Sequence, residues 1–141
     1  MPETGNAIDY KVNAPLTVEE AIDLYKRSTL GERRPVDRPD IFEKMLRHAN
    51  LTVTAWDGPR AVGIARTFTD FGYVAYIADL AVDEAYQKRG IGKALIDVTR
   101  EHLDPSAYIT LIAAPKATGY YPKIGFTQHP SAWIWRPGPQ G

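Results

Sequence analysis

A strand that runs into a glycine turn and then a helix is the feature that most limits what this chain can become. The stretch reads Leu80-Ala81-Val82-Asp83-Glu84-Ala85-Tyr86-Gln87-Lys88-Arg89-Gly90-Ile91-Gly92-Lys93-Ala94. Apolar residues lead in, two glycines open the helix, and Ile91, Leu95 and Val98 give it one buried stripe. Glycine lets the backbone turn sharply and leaves no side chain in the way, so successive N–H groups can converge on an anion. The helix start adds about half a positive charge, and Lys88, Arg89 and Lys93 add full ones. This suits a pyrophosphate cradle; the competing reading is a glycine-rich helix entry with solvated cations. Spacing excludes the two common nucleotide loops. A Walker A loop needs glycine at 87 and Ser or Thr at 94, where Gln87 and Ala94 stand, and a dinucleotide fingerprint needs a third glycine where Leu95 stands.

Around this turn the periodicity predicts alternating strands and helices. Ile8–Asn13 alternates as a first strand. Thr17 with Glu20 forms a capping box for a helix with Val18, Ile22 and Tyr25 on one stripe, stopped at Gly31. After the loop Gly31–Pro39, a second helix starts at Asp40, with Glu43 in the matching position and Phe42, Met45, Leu46 and Ala49 inward. Leu51–Trp56 and Ala61–Thr69 form a hairpin about Asp57-Gly58-Pro59, and Tyr73–Val82 is the fourth strand. Beyond the helix Gly90–Leu103, the apolar run Tyr108–Ala114 predicts a central strand covered on both faces. A short helix near Ala117–Lys123 and a last strand through Trp133 and Trp135 complete an α/β domain, and residues 136–141, with Gln140, form a frayed tail.

Composition narrows the partners. A chain of 141 residues makes one ordinary domain, and 17 basic against 17 acidic residues give zero net charge. That balance argues against nucleic acid or an anionic membrane as the main partner. With no cysteine, disulfides, thiol nucleophiles and Cys-ligated metals are excluded. His48, His102 and His129 have no metal spacing, so no metal is expected. There is neither a membrane-length apolar run nor an N-terminal signal pattern, so the expected location is cytoplasmic.

Two motifs carry a family resemblance. Gln87-Lys88-Arg89-Gly90-Ile91-Gly92, directly after a strand ending Leu80-Ala81-Val82, resembles the Gln/Arg-x-x-Gly-x-Gly/Ala signature of the GNAT N-acetyltransferase superfamily. Downstream, Tyr121-Pro122-Lys123-Ile124-Gly125-Phe126 is similar to its second motif, Tyr-x-Lys-x-Gly-Phe. The resemblance covers about residues 8–136, with the specific motifs confined to 73–126. One departure stands out: where many members carry an Asn seven residues before the motif tyrosine, this chain has Ala114.

The resemblance implies a mixed, mostly antiparallel sheet of six to seven strands, flanked by helices and splayed between the fourth and fifth. It implies acetyl-coenzyme A as co-substrate and transfer of acetyl to an amine, with a small-molecule acceptor as the leading reading. Protein or peptide amines, or a regulatory coenzyme A-binding module without turnover, are the alternatives. The pyrophosphate would lie on the backbone of Gln87, Lys88, Arg89, Gly90, Ile91, Gly92 and Lys93. The pantetheine arm would pair with Leu80, Ala81 and Val82, and a backbone N–H near Leu80 would face the thioester oxygen. Tyr121 aligns with the general acid beside the cofactor, a role favoured if the site lowers its pKa a little; packing is the alternative, and Tyr120 is its neighbour. Asp79, a carboxylate between Ala78 and Leu80, is either a paired structural residue or the base that takes the amine's proton. Arg33, Arg34 and Arg38 lie in the loop that flanks the acceptor in this family, as acceptor ligands or as solvated charges. Trp133 and Trp135 share one strand face, in the core or on a homodimer surface.

Overall fold

Local rules account for most of the elements in a computed structural model that describes residues 7–138. The chain divides into two units, residues 1–111 and 112–141. In the first, β1 (Asp9–Val12) is followed by α1 (Val18–Arg27) and α2 (Pro39–His48). Then come β2 (Leu51–Asp57), β3 (Arg60–Thr69), β4 (Val74–Val82), α3 (Ile91–Glu101) and β5 (Tyr108–Leu111). Thr17 caps α1 through the expected box: its hydroxyl accepts from Glu20 N–H at 3.1 Å and Glu20 accepts from Thr17 N–H at 3.0 Å.

The strands lie in the order β1-β2-β3-β4-β5, antiparallel except for the parallel β4–β5 pair. One face carries α1 and α2 over Ala21, Leu24, Tyr25, Phe42, Trp56, Ile64 and Ala81. The other carries α3 over Val53, Ala55, Val62, Ala65, Ile91 and Leu95. Pairing of β4 with β5 runs only from Val74–Tyr108 to Ile77–Leu111, so Ala78–Val82 extend past the end of β5. The β3–β4 register slips between Arg66 and Thr67: Arg66 faces Asp79 and Thr67 faces Ile77, which leaves Ala78 as the extra residue of a bulge.

Several sequence expectations are corrected. The described residues form five strands, not six or seven. The segment through Trp133 and Trp135 is not a strand, and the two side chains are 93% and 81% exposed, which removes their core reading. Three consecutive apolar residues, Trp133-Ile134-Trp135, do not alternate, and the segment lies between Pro130 and Pro137. The fifth strand stops at Leu111 and is an edge strand with Tyr108 68% exposed, because sequential strand order places the last strand outermost. Helix α1 ends at Arg27, before Gly31; Ser28 caps the following 3-10 turn, Thr29–Arg33. Gly31 is needed there because a Cβ would meet Tyr25 O at 2.6 Å. Helix α2 begins at Pro39, whose missing N–H suits the first helical turn, so Arg38 and not Asp40 is its N-cap. In the second unit, two 3-10 turns, Pro115–Ala117 and Tyr121–Ile124, replace the single short helix. Of the tail, Gln140 lies outside the described residues.

Candidate active site

The cradle forms because both of its ends are fastened. At the β4 end, Asp83 caps Ala85 N–H at 2.9 Å and pairs with Arg27 of α1, which also holds Ala61 O at 3.0 Å. Burial works against the Asp83 charge, but the Ala85 N–H and the Arg27 guanidinium outweigh it and hold its carboxyl below the usual range. Tyr86 donates to Asp57 at the end of β2, and the Arg89 guanidinium lies 4.9 Å over the Tyr86 ring. Gln87 Nε2 donates to Val82 O at 3.3 Å. At the other end, Ile91 is buried beside Leu95, which seats the start of α3 on the sheet.

Between these anchors Lys88 and Gly90 take left-handed backbone conformations, φ +65 and +78. Gly90 is the N-cap of α3, and a Cβ there would meet no atom within 4 Å. The first bond into the helix runs from Ala94 N–H to Gly90 O at 3.0 Å. The N–H groups of Ile91, Gly92 and Lys93 therefore have no carbonyl behind them. Lys88 and Arg89 are exposed beside them, and Lys93 is shared with Asp97 at 2.8 Å. Open donors, a helix start and cations on one rim are what a polyphosphate requires.

The edge of β4 points the same way. Asp83 N–H donates to Val62 O, so the Val62–Asp83 pair is hydrogen-bonded. Pairs alternate along an antiparallel ladder. Gly63–Val82 and Ala65–Leu80 are thus non-hydrogen-bonded, and the N–H groups of Leu80 and Val82 face away from β3. Ala81, between them, turns its side chain into the α1–α2 core.

Asp79 is 1% exposed and held by three donors. Arg34 Nε donates to Oδ1 at 2.6 Å, and Oδ2 accepts from Arg66 Nε at 2.6 Å and from the Tyr25 hydroxyl at 2.5 Å. Burial pushes this carboxyl up, but the facing Arg66 charge and hydrogen bond, with Tyr25 and Arg34, bring it below the ordinary value. Tyr25 is driven well above the usual phenol range, first by burial and then by the Asp79 charge. This is the paired reading of Asp79. Arg34 is thereby committed to structure, and Arg38 pairs with Asp40 at 2.8 Å; Arg33 is exposed.

Tyr121 belongs to the second unit. Its ring sits edge-on to Tyr120 and Phe126, at 5.3 and 5.5 Å, and Phe126 N–H bonds back to Tyr121 O at 3.0 Å. Gly125, at φ +101, makes that return possible, which explains the glycine of the motif. Burial, then Tyr120, raises the Tyr121 hydroxyl, opposite to the small lowering that would help an acid. Ala114 caps the Pro115–Ala117 turn without a side-chain bond. Among the described residues no group of three His, Cys, Asp or Glu could hold a metal, and no helix is long and apolar enough to cross a membrane.

Residues 31–134 match the family model described as "Acetyltransferase (GNAT) domain". The chain belongs to the GNAT acetyltransferase family. This GNAT chain is 28% identical to an uncharacterized N-acetyltransferase, ycf52, of Porphyra purpurea, over 97% of its own length and 84% of the relative's. Among solved structures it is similar to a probable acetyltransferase of unknown function from methicillin-resistant Staphylococcus aureus. That likeness has TM-score 0.75 and 26% identity, over 94% of this chain and all of that one. A third likeness, in fold alone, is to the aminoglycoside N-acetyltransferase AAC(6')-Iy solved with CoA: TM-score 0.73, 18% identity, 97% and 99% covered. The motifs that mark the family leave part of its site unannounced here. Tyr25 and Arg27 carry no local signal for their place in it. Arg66, a charge directly after the apolar run Ala61–Ala65, does stand out in the sequence.

Proposed function

We propose that this GNAT protein transfers the acetyl group of acetyl-coenzyme A to a primary amine of a small molecule, by direct attack with both substrates bound. The observation that carries this reading is the cradle of unpartnered N–H groups at Ile91–Lys93, opened by Gly90 and flanked by Lys88 and Arg89. Acetyl-coenzyme A would supply the activated thioester. The backbone of Gln87–Lys93 holds its pyrophosphate, and Leu80, Ala81 and Val82 receive its pantetheine arm along the β4 edge. Leu80 N–H steadies the negative charge that develops on the carbonyl oxygen as the amine nitrogen attacks. Tyr121 donates a proton to the sulfur as the carbon–sulfur bond breaks. A phenol is protonated at neutral pH without any shift, and the burial that raises this one makes it a weaker donor that acts only as charge develops on the sulfur. Asp79, with both oxygens engaged, holds the backbone in place and takes no proton; the amine's proton leaves through water. We assign the protein to the cytoplasm and expect a homodimer.

Release of free thiol from acetyl-coenzyme A, followed with a panel of primary amines that includes aminoglycosides and lysine peptides, tests the proposal. Amine-dependent release, strongest with a small molecule, is expected. Release confined to the peptides would favour protein acetylation. Tight coenzyme A binding without release across the panel would favour a regulatory module and overturn the catalytic reading.

A further inference from the structure

The bulge in β4 creates a problem that the chain solves with one residue from a distant loop. Ala78 is paired with no residue of β3 and lies one residue past the last β4–β5 pair, so its carbonyl is left to a side chain. Arg34 Nη2 donates to that carbonyl at 2.9 Å, while the same guanidinium's Nε holds Asp79 Oδ1 at 2.6 Å. One rigid fork thus pins two consecutive residues, and the next is Leu80. The rest of the Asp79 shell is fixed by β3 and α1: Arg66 Nε and the Tyr25 hydroxyl hold Oδ2, and Arg66 Nη1 reaches Met45 O of α2 at 3.2 Å. Arg34 differs from Tyr25 and Arg66 in two ways. It stands on the loop between α1 and α2, and its side chain is only three-quarters covered, whereas Asp79 is fully covered.

From this geometry we infer that Arg34 is a positioning residue, a latch that fixes the bulge at Ala78–Asp79 and so aims Leu80 N–H at the oxygen of the scissile carbonyl. The inference rests on the role proposed above for Leu80. It assigns to Arg34 an effect on the reacting geometry and none on cofactor affinity, because the cradle at Gln87–Lys93 has its own anchors in Asp83, Arg27 and Tyr86. A lysine cannot replace the latch, since a single ammonium cannot span a carbonyl and a carboxylate with the fork geometry of a guanidinium.

Arg34→Ala and Arg34→Lys, with Arg47→Ala on the outer face of α2 as control, are the variants to compare. Three readouts separate the outcomes: coenzyme A affinity by calorimetry, kcat for the amine identified above, and the Leu80 amide signal by NMR. A misaimed donor costs up to about 10²-fold in rate. In both Arg34 variants kcat should fall by about that factor, coenzyme A affinity should hold within about twofold, and the Leu80 amide should shift. Added guanidinium should restore much of the rate and the amide position in Arg34→Ala and do nothing for Arg47→Ala. Unchanged kcat and an unmoved Leu80 amide in Arg34→Ala would overturn the inference. So would equal losses of rate, affinity and melting temperature that guanidinium does not reverse, since that pattern belongs to a general structural role. The NMR arm does not depend on turnover. A wild-type chain that releases no thiol while its Leu80 amide still answers to Arg34 and guanidinium would sink the catalytic reading and leave the latch standing.

Discussion

Replacing Asp79 by asparagine keeps the shape of the side chain but removes the one negative charge between two guanidinium groups. Arg66 is then buried without a counter-charge, and breaking a buried pair from one side costs about 3–5 kcal/mol. The pH dependence follows from the direction of the Asp79 shift. Its folded-state pKa lies below the unfolded value of about 3.9, so its stabilisation is complete above that value and is lost as pH falls through the folded one. The gap in denaturation midpoint between wild type and Asp79→Asn should be wide at neutral pH and close under strongly acid conditions. A gap independent of pH down to acid denaturation would show that the charge is not what Asp79 contributes. Sequence alone marks Asp79 as an odd carboxylate among apolar neighbours but cannot name its partners, which lie 54, 45 and 13 residues away in the chain. Tyr121 raises the complementary case, because its motif was legible and its electrostatics were not. Tyr121→Phe keeps the ring contacts with Tyr120 and Phe126 and removes only the donor. Cofactor affinity should hold while kcat falls by roughly 10²–10⁴, and less with an acyl donor whose leaving group is already good. Tyr120→Phe should be nearly silent; a loss confined to that variant would move the donor role one residue upstream.

Among the elements, those with local signals were readable and those set by topology were not. The Thr17–Glu20 box and the Gly90 helix start each need only a few neighbouring residues, and both form where the sequence places them. The edge position of β5 depends on strand order, which an apolar run cannot encode, and the bulge at Ala78 leaves no mark because an extra alanine in a strand looks like any other. The turn from β4 to α3 also changes the reason Gly90 matters. A Cβ there would meet no protein atom within 4 Å, so inside the free protein a side chain is opposed by the backbone angle, φ +78, and not by crowding. A β-branched residue resists that conformation most. Gly90→Val should therefore shift the local backbone at a cost of about 1–2 kcal/mol and abolish coenzyme A binding, with α3 still seated through Ile91 and Leu95. Gly92→Asp should lose binding by a different route, placing a negative charge among the N–H groups meant for phosphate. Calorimetry beside a melting curve checks both; undiminished affinity in either folded variant would remove the cradle as the binding site.

The molecule as a whole carries no net charge, so neither long-range repulsion nor a one-signed field keeps copies apart. Against that neutral background Trp133 and Trp135 are 93% and 81% exposed, with Ile134 half exposed between them. Large apolar groups in one exposed stretch ordinarily mark a contact surface. A self-complementary two-fold contact would count each tryptophan twice. At about 150–250 Å² each, four of them would bury roughly 600–1,000 Å². That is short of the ~1,200 Å² at which stable interfaces begin, so a dimer resting mainly on these side chains should be weak and reversible. Light scattering is expected to give a dimer mass at the upper end of micromolar concentrations and a falling mass on dilution. Trp133→Ser with Trp135→Ser should leave a monomer at every concentration with an unchanged melting temperature, because neither ring packs in the core. A wild-type mass that stays monomeric throughout would refute the dimer, and a double variant that still dimerises would move the contact to another face.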